Sequence, residues 1–127
     1  MLLWRRKFYK YSVCIYMNIK KNDKVKILAG KDKGKTGKVL QILPATSQSA
    51  GKASIEGLNL LIKHMRPSKK GEKGQRVEFP AFMAISNLAL VCPKCGQATR
   101  VGFKVLNIEG KKAKKFRVCK KCQEVIE

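Results

Sequence analysis

Four cysteines in the last third of the chain stand at chelating spacing: Cys92-Pro-Lys-Cys95 and Cys119-Lys-Lys-Cys122, with 23 residues between the pairs. Two residues between cysteines let one tight turn aim both sulfurs at a single ion, and two such turns close a tetrahedral site. A catalytic zinc keeps one coordination position open; four thiolates close it, so the chemistry expected here is structural. Residue count alone leaves iron–sulfur ligation open. Disulfides are disfavoured, because no signal peptide is legible and cytosolic thiols stay reduced. A thioredoxin-like redox motif needs one pair beside a βαβ unit, which the sequence lacks. The expectation is one structural Zn²⁺ on Cys92, Cys95, Cys119 and Cys122. Cys14 has no partner at chelating spacing and is read as an incidental thiol.

A second stretch, "AGKDKGKTGKV" at residues 29–39, contains Gly34-Lys35-Thr36 after Gly30 and looks like a nucleotide-binding loop. The spacing rules it out. A phosphate-binding P-loop places four residues between its glycines and opens into a helix. Here Lys31, Asp32 and Lys33 are the only residues between, and "GKVLQIL" follows, rich in strand formers and stopped by Pro44. No nucleotide substrate is expected. Ser, Asp and Glu are scattered, so no catalytic set is legible and the protein is not read as an enzyme.

The 127-residue chain has 29 Lys and Arg against 8 Asp and Glu, a net charge of +21. Such a balance is costly in self-repulsion and calls for an acidic partner, nucleic acid first. The excess is spread along the chain; of its segments, only residues 77–91 carry no net positive charge. Apolar runs are short and interrupted, so no membrane partner is expected. Residues 1–16, "MLLWRRKFYKYSVCIY", lack the apolar core of a signal peptide and the serine richness of a transit peptide. Met17 opens a natural first strand, so residues 1–16 read as a basic extension or an over-called start.

These groups need a scaffold, and the period of the sequence makes it almost entirely β. "KVKILAG" alternates, with Val25 and Ile27 on one face and Lys24 and Lys26 on the other. Gly30, Gly34 and Gly37 are expected to allow a compact turn, the strand of "GKVLQIL" follows, and "ASIEGLNLLIK" supplies one or two more strands with a bend at Gly57. A short helical turn is the one alternative near residues 58–65. "RPSKKGEKGQ", residues 66–75, is a charged turn-forming insert, after which "RVEF" and "AFMAISNLALV" return to strand. Several short strands at close spacing predict a small barrel. Between the cysteine pairs, "TRVGFKVLNI" and "KKAKKFRV" flank Glu109-Gly110 as a β-hairpin that sets the two cysteine turns side by side.

Residues 17–43 resemble the KOW motif of SH3-like barrels that bind RNA. "KVKILAGKDKGKTGKV", "IEGLNLLIKHMRP", "ISNLALV" and "TRVGF" occur in the order found in bacterial large-subunit ribosomal protein 24, and the resemblance covers about residues 17–127. Asn22 departs from the family's usual glycine, at a position where Asn tolerates a left-handed turn. The cysteines also depart, since many members lack them. The chain is read as all-β with three parts: the extension at 1–16, outside the resemblance; an SH3-like KOW barrel at 17–91, which the resemblance implies; and a small zinc-ribbon β-hairpin at 92–127, which the cysteine spacing implies and the family pattern does not. The resemblance implies a structural constituent of the large subunit of a bacterial, cytoplasmic ribosome rather than an organellar one. Binding of 23S ribosomal RNA, a role in starting subunit assembly and a place near the polypeptide exit tunnel come with it. So do neighbouring large-subunit proteins as partners, with no homo-oligomer, and the insert at 66–75 as the family's protruding hairpin. RNA contacts are expected from Lys20, Lys21, Lys31, Lys33, Lys35, Lys38, Lys63, His64, Arg66 and Arg100. A KOW-bearing transcription elongation factor is the competing class, and would carry a further domain.

Overall fold

A computed structural model describes residues 18–45, 50–107, 109–110 and 113–126. The extension at 1–16, with Cys14, and the expected start at Met17 lie outside the described residues. Among the described residues every regular element but one short 3₁₀ turn is a strand. They are β1 (Lys24–Ile27), β2 (Thr36–Leu43), β3 (Lys52–Ile55), β4 (Leu60–Met65), β5 (Gln75–Pro80) and β6 (Phe82–Ala84). After the 3₁₀ turn (Ile85–Asn87) come β7 (Leu88–Val91), β8 (Ala98–Thr99), β9 (Val101–Leu106), β10 (Lys114–Cys119) and β11 (Val125–Ile126).

Six strands form one sheet in the order β6-β3-β2-β1-β7-β8, each pair antiparallel. β1, β2, β3, β6 and β7 form the SH3-like part, and β8 joins its edge from beyond the first cysteine turn. Its core follows from the alternation: Val25 and Ile27 of β1 are buried while Lys24 and Lys26 are exposed, and Val39, Ala53, Ile55, Leu88 and Leu90 close over them. The strand expected over "AFMAISNLALV" is interrupted by the 3₁₀ turn, which lets β6 pair with β3 and β7 with β1. One stretch of sequence thus supplies two strands on opposite sides of β1–β3 in the sheet.

The helical alternative near residues 58–65 is not adopted. Leu60–Met65 are strand β4, paired with β5 from Leu60↔Pro80 to Met65↔Gln75. This hairpin stands apart as a two-stranded sheet, and all six residues of β4 are exposed. The insert at 66–75 supplies its tip over 66–74, with Gln75 already in β5, and Gly57, at φ +69°, is the bend that releases the hairpin from β3.

The third sheet, β11-β10-β9, holds the C-terminal hairpin. It is not a separate bead. Cys92, Cys119 and Ile126 belong to the same buried cluster as Val25 and Leu90. β8 beyond the first cysteine turn pairs back onto β7, and Arg117 of β10 reaches Asp23 at the start of β1.

Candidate metal centre and nucleic-acid interface

Each cysteine pair sits on a turn that follows a strand. Cys92 N–H donates to the Gln97 carbonyl and Gly96 N–H to the Cys92 carbonyl, at 3.0 and 2.9 Å. The second turn repeats this: Cys119 N–H to the Glu124 carbonyl and Gln123 N–H to the Cys119 carbonyl, at 2.9 and 3.0 Å. Both turns close through a left-handed residue, Gly96 at φ +68° and Gln123 at +59°. Gln123 therefore adopts the conformation that glycine takes in the first turn, carrying a Cβ where none is favoured. Lys94 and Glu124 pair across the two turns at 2.9 Å, and the Glu124 carboxylate raises the Lys94 pKa.

The β9–β10 hairpin brings the turns together, as the sequence predicts, and the four Sγ atoms lie within 4.8 Å of one another. Cys92 to Cys122 is 3.7 Å and Cys95 to Cys119 is 3.9 Å. A tetrahedron of thiolates at a zinc–sulfur bond of about 2.3 Å has edges of about 3.8 Å. The donor set thus fits a single four-coordinate ion. A multi-iron cluster would insert several atoms between the sulfurs and set them further apart. Backbone N–H groups of Cys122 and Lys121 stabilise the Cys119 thiolate and, against burial, bring its pKa down to about 6. Cys122 goes the other way. The Glu124 N–H favours its thiolate, yet burial and the three neighbouring sulfurs push it up to about 12. Four sulfurs this close favour one negative charge and resist the next; a divalent cation among them removes that resistance.

The basic stretch at residues 29–39 is a turn between two strands, since Thr36 begins β2 and no helix follows. Gly30 (φ +102°) and Gly34 (φ +85°) make the reversal, with Gly34 N–H bonded to the Ile27 carbonyl at 2.8 Å. Gly37, expected in the same turn, has another role. It lies in β2, and a Cβ there would come within 2.5 Å of Ile55 Cγ2. Asp32 braces the turn by accepting from Lys35 Nζ at 2.7 Å and from Asn59 N–H at 3.0 Å. These bonds, Lys35's first, hold its pKa below the ordinary carboxylate value. Asn59 in turn donates its side-chain amide to the Ala81 carbonyl, so the basic turn is clamped to the root of the β4–β5 hairpin.

All ten residues expected to contact RNA are exposed. Lys31 and Lys33 project from the turn, while Lys35 is already paired with Asp32. Lys38 lies directly opposite Lys24 across the β1–β2 ladder, and Lys26 is on the same face. Like charges opposed on a sheet are destabilising unless something neutralises them. Lys24 and Lys26 were legible as an exposed basic face from the alternation, and their pairing with Lys38 adds them to the candidates. Lys20 and Lys21 lie just before β1, in a turn where Asp23 accepts the Lys20 N–H at 2.7 Å. Lys63 and His64 stand on β4 and Arg66 just beyond it, with Arg76 opposite His64. Arg100 lies between β8 and β9, on the C-terminal side of the barrel.

Fold and site together define a small all-β structural protein built on a KOW barrel, with no catalytic constellation among its described residues. The sequence matches the KOW motif over residues 21–56 and the description "Large ribosomal subunit protein uL24, C-terminal domain" over residues 58–126. It is 46% identical to large ribosomal subunit protein uL24 of Thermosipho melanesiensis, over 86% of this chain and 95% of the relative. Identity is 42% to that of Clostridium perfringens (85% and 96%) and 43% to that of Carboxydothermus hydrogenoformans (87% and 96%). The chain belongs to the uL24 family of large ribosomal subunit proteins. It is accordingly a structural constituent of the large subunit of the cytoplasmic ribosome, in a family without enzymatic activity.

Proposed function

We propose that the protein binds 23S ribosomal RNA through the basic turn and the lysine-bearing face of β1 and β2, helps start large-subunit assembly, and lies near the polypeptide exit tunnel. The observation that supports this most is the Lys24↔Lys38 pairing beside Lys31 and Lys33. A sheet that opposes two ammonium groups is built to meet phosphates, which lysines neutralise as point charges without reading bases. Lys20, Lys21, Lys63, His64, Arg66 and Arg100 extend the contact over several faces, and recognition rests on shape and many simultaneous contacts. Neighbouring large-subunit proteins are the other partners, and the chain acts as a single copy. The β4–β5 hairpin is the protruding element directed toward the tunnel exit.

In the same reading the barrel spans residues 17–91, and residues 92–127 fold around one structural zinc ion on Cys92, Cys95, Cys119 and Cys122. The ion supplies cross-linking of two turns in a segment with little core of its own, and no reaction chemistry. Sucrose-gradient sedimentation of a tagged chain tests the reading. The wild type is expected in the large-subunit and 70S fractions. A chain that stays at the top of the gradient at normal expression would refute it.

A further inference from the structure

Between the barrel and the C-terminal hairpin lies a cleft of about 460 Å³, inside the range of small-ligand sites. Leu28, just after β1, lines it and is 47% exposed. It is an apolar side chain next to one of the most basic turns of the chain. Leu88 and Val101 continue the apolar wall. Arg100 and Lys120 line the same cleft, held together by the bond from Lys120 N–H to the Arg100 carbonyl at 3.4 Å. Ser86 adds a hydroxyl at the edge, and among the described residues lining the cleft there is no acid.

A cleft of mixed polarity, with exposed Leu28 on one wall and two cations and a hydroxyl beside it, matches a nucleotide that has left its stack. The base takes the apolar wall, the cations take its flanking phosphates, and the hydroxyl can bond a base edge. A duplex could use the cations and would leave Leu28 facing water. We infer that this cleft receives one unpaired, splayed-out nucleotide of ribosomal RNA, with Leu28 as the platform and Arg100 and Lys120 as the phosphate anchors. The inference rests on the proposed binding of ribosomal RNA and adds to it a local, base-dependent contact. Lys120 is a residue that the sequence reading did not select.

The test is binding of the full chain to a transcript of 23S ribosomal RNA, with base-reactive probing of the complex. The variants are Leu28→Glu, Leu28→Met and Arg100→Gln with Lys120→Gln. Removing the platform should weaken binding by about fivefold, the lower end of what one base contact is worth, because leucine offers apolar contact and no aromatic face. Leu28→Glu should also restore chemical reactivity at one unpaired base that the wild type protects, and Leu28→Met should behave as the wild type. The double cation variant should flatten the salt dependence by about two contacts. Wild-type protein without salt-dependent affinity for the transcript would overturn the RNA-binding reading itself. Intact binding with Leu28→Glu as tight as wild type, or with the same bases protected, would overturn the cleft alone. Affinity that rises on removing residues 1–16, with Leu28→Glu then without effect, would make that segment the occupant and also overturn it.

Discussion

Arg117 of β10 donates through both terminal nitrogens to the carboxylate of Asp23, at 2.5 and 3.3 Å, across 94 residues of sequence. The arginine side chain is 4% exposed and the aspartate 13%. Nη1 also donates to the Asn18 carbonyl at 3.2 Å, and Asp23 Oδ2 accepts the Lys20 N–H. Arg117 stands two residues before Cys119 on the same strand face. The thiolate cluster, the hairpin and the turn carrying Lys20 and Lys21 are therefore mechanically one assembly.

Removing one partner should cost heavily. Asp23→Ala leaves a guanidinium buried against the barrel, and loss of one member of such a pair typically costs about 3–5 kcal/mol. For a domain of this size the melting temperature should fall by about 10 °C or more. Replacing both, with Arg117→Met and Asp23→Leu, should recover much of the loss. Thermal unfolding followed by circular dichroism reads both. An Asp23→Ala chain within a degree or two of wild type would show that the pair carries no net stability.

Protein purified under reducing conditions should contain one zinc per chain by elemental analysis. Cys→Ser at position 92, 95, 119 or 122 should abolish it, and Cys14→Ser should change nothing. The apparent free energy of such sites is about 10–16 kcal/mol at neutral pH, ample to order a short hairpin. Because Cys92 and Cys119 are fully buried in the shared core, Cys92→Ser and Cys119→Ser should also lower the melting point of the barrel. Iron in the wild type, or a metal-free chain whose β9–β10 amides stay protected from exchange, would reject zinc as the organiser.

RNA affinity should fall with salt by roughly 0.7–0.9 in log–log slope for each phosphate contact. Lys31→Gln with Lys33→Gln should flatten the slope by about two. Adding Lys35→Gln should contribute less than either, because its ammonium is already shared with Asp32. Filter binding from low to moderate salt measures this. Equal decrements from all three lysines would mean that the Asp32 pair opens on binding.

Asp32 has its pKa lowered by Lys35 and by the Asn59 amide, so its contribution to stability has a defined sign with pH. It is fully present above the ordinary carboxylate value of 3.8 and is lost as pH falls through the lowered value. The melting temperature of wild type minus that of Asp32→Asn should therefore be constant near neutrality and shrink below about pH 4. A difference that grows on acidification would contradict the clamp.

Local pattern made the barrel readable. The period-2 alternation in "KVKI" placed Val25 and Ile27 inside, and two tight cysteine spacings placed four sulfurs at one point. Gly37 was misread because spacing cannot tell a glycine that turns the chain from one that admits a neighbour; here Ile55 occupies the space a side chain would need. Arg117 was lost in the basic run "KKAKKFRV", where every cation looks solvated. Its signal was nonetheless present: a strand that aims Cys119 inward also aims the residue two before it inward. The β4–β5 hairpin carried apolar residues that resemble core, yet Leu61, Ile62 and Phe79 stay exposed because no third strand meets them. Which strands lack a neighbour is a property of the whole sheet order, and no short window contains it.

The opposed Lys24 and Lys38 also bear on the lifetime of the protein. Repulsion across that ladder weighs on the free chain and is relieved when an anionic partner binds the folded form, which stabilises that form by mass action. Copies made in excess of available RNA would then open more often than assembled ones. Proteases act on opened chains, so surplus copies should be the first degraded. Stoichiometry with the ribosome would in this way be enforced by turnover, through two lysines that face each other.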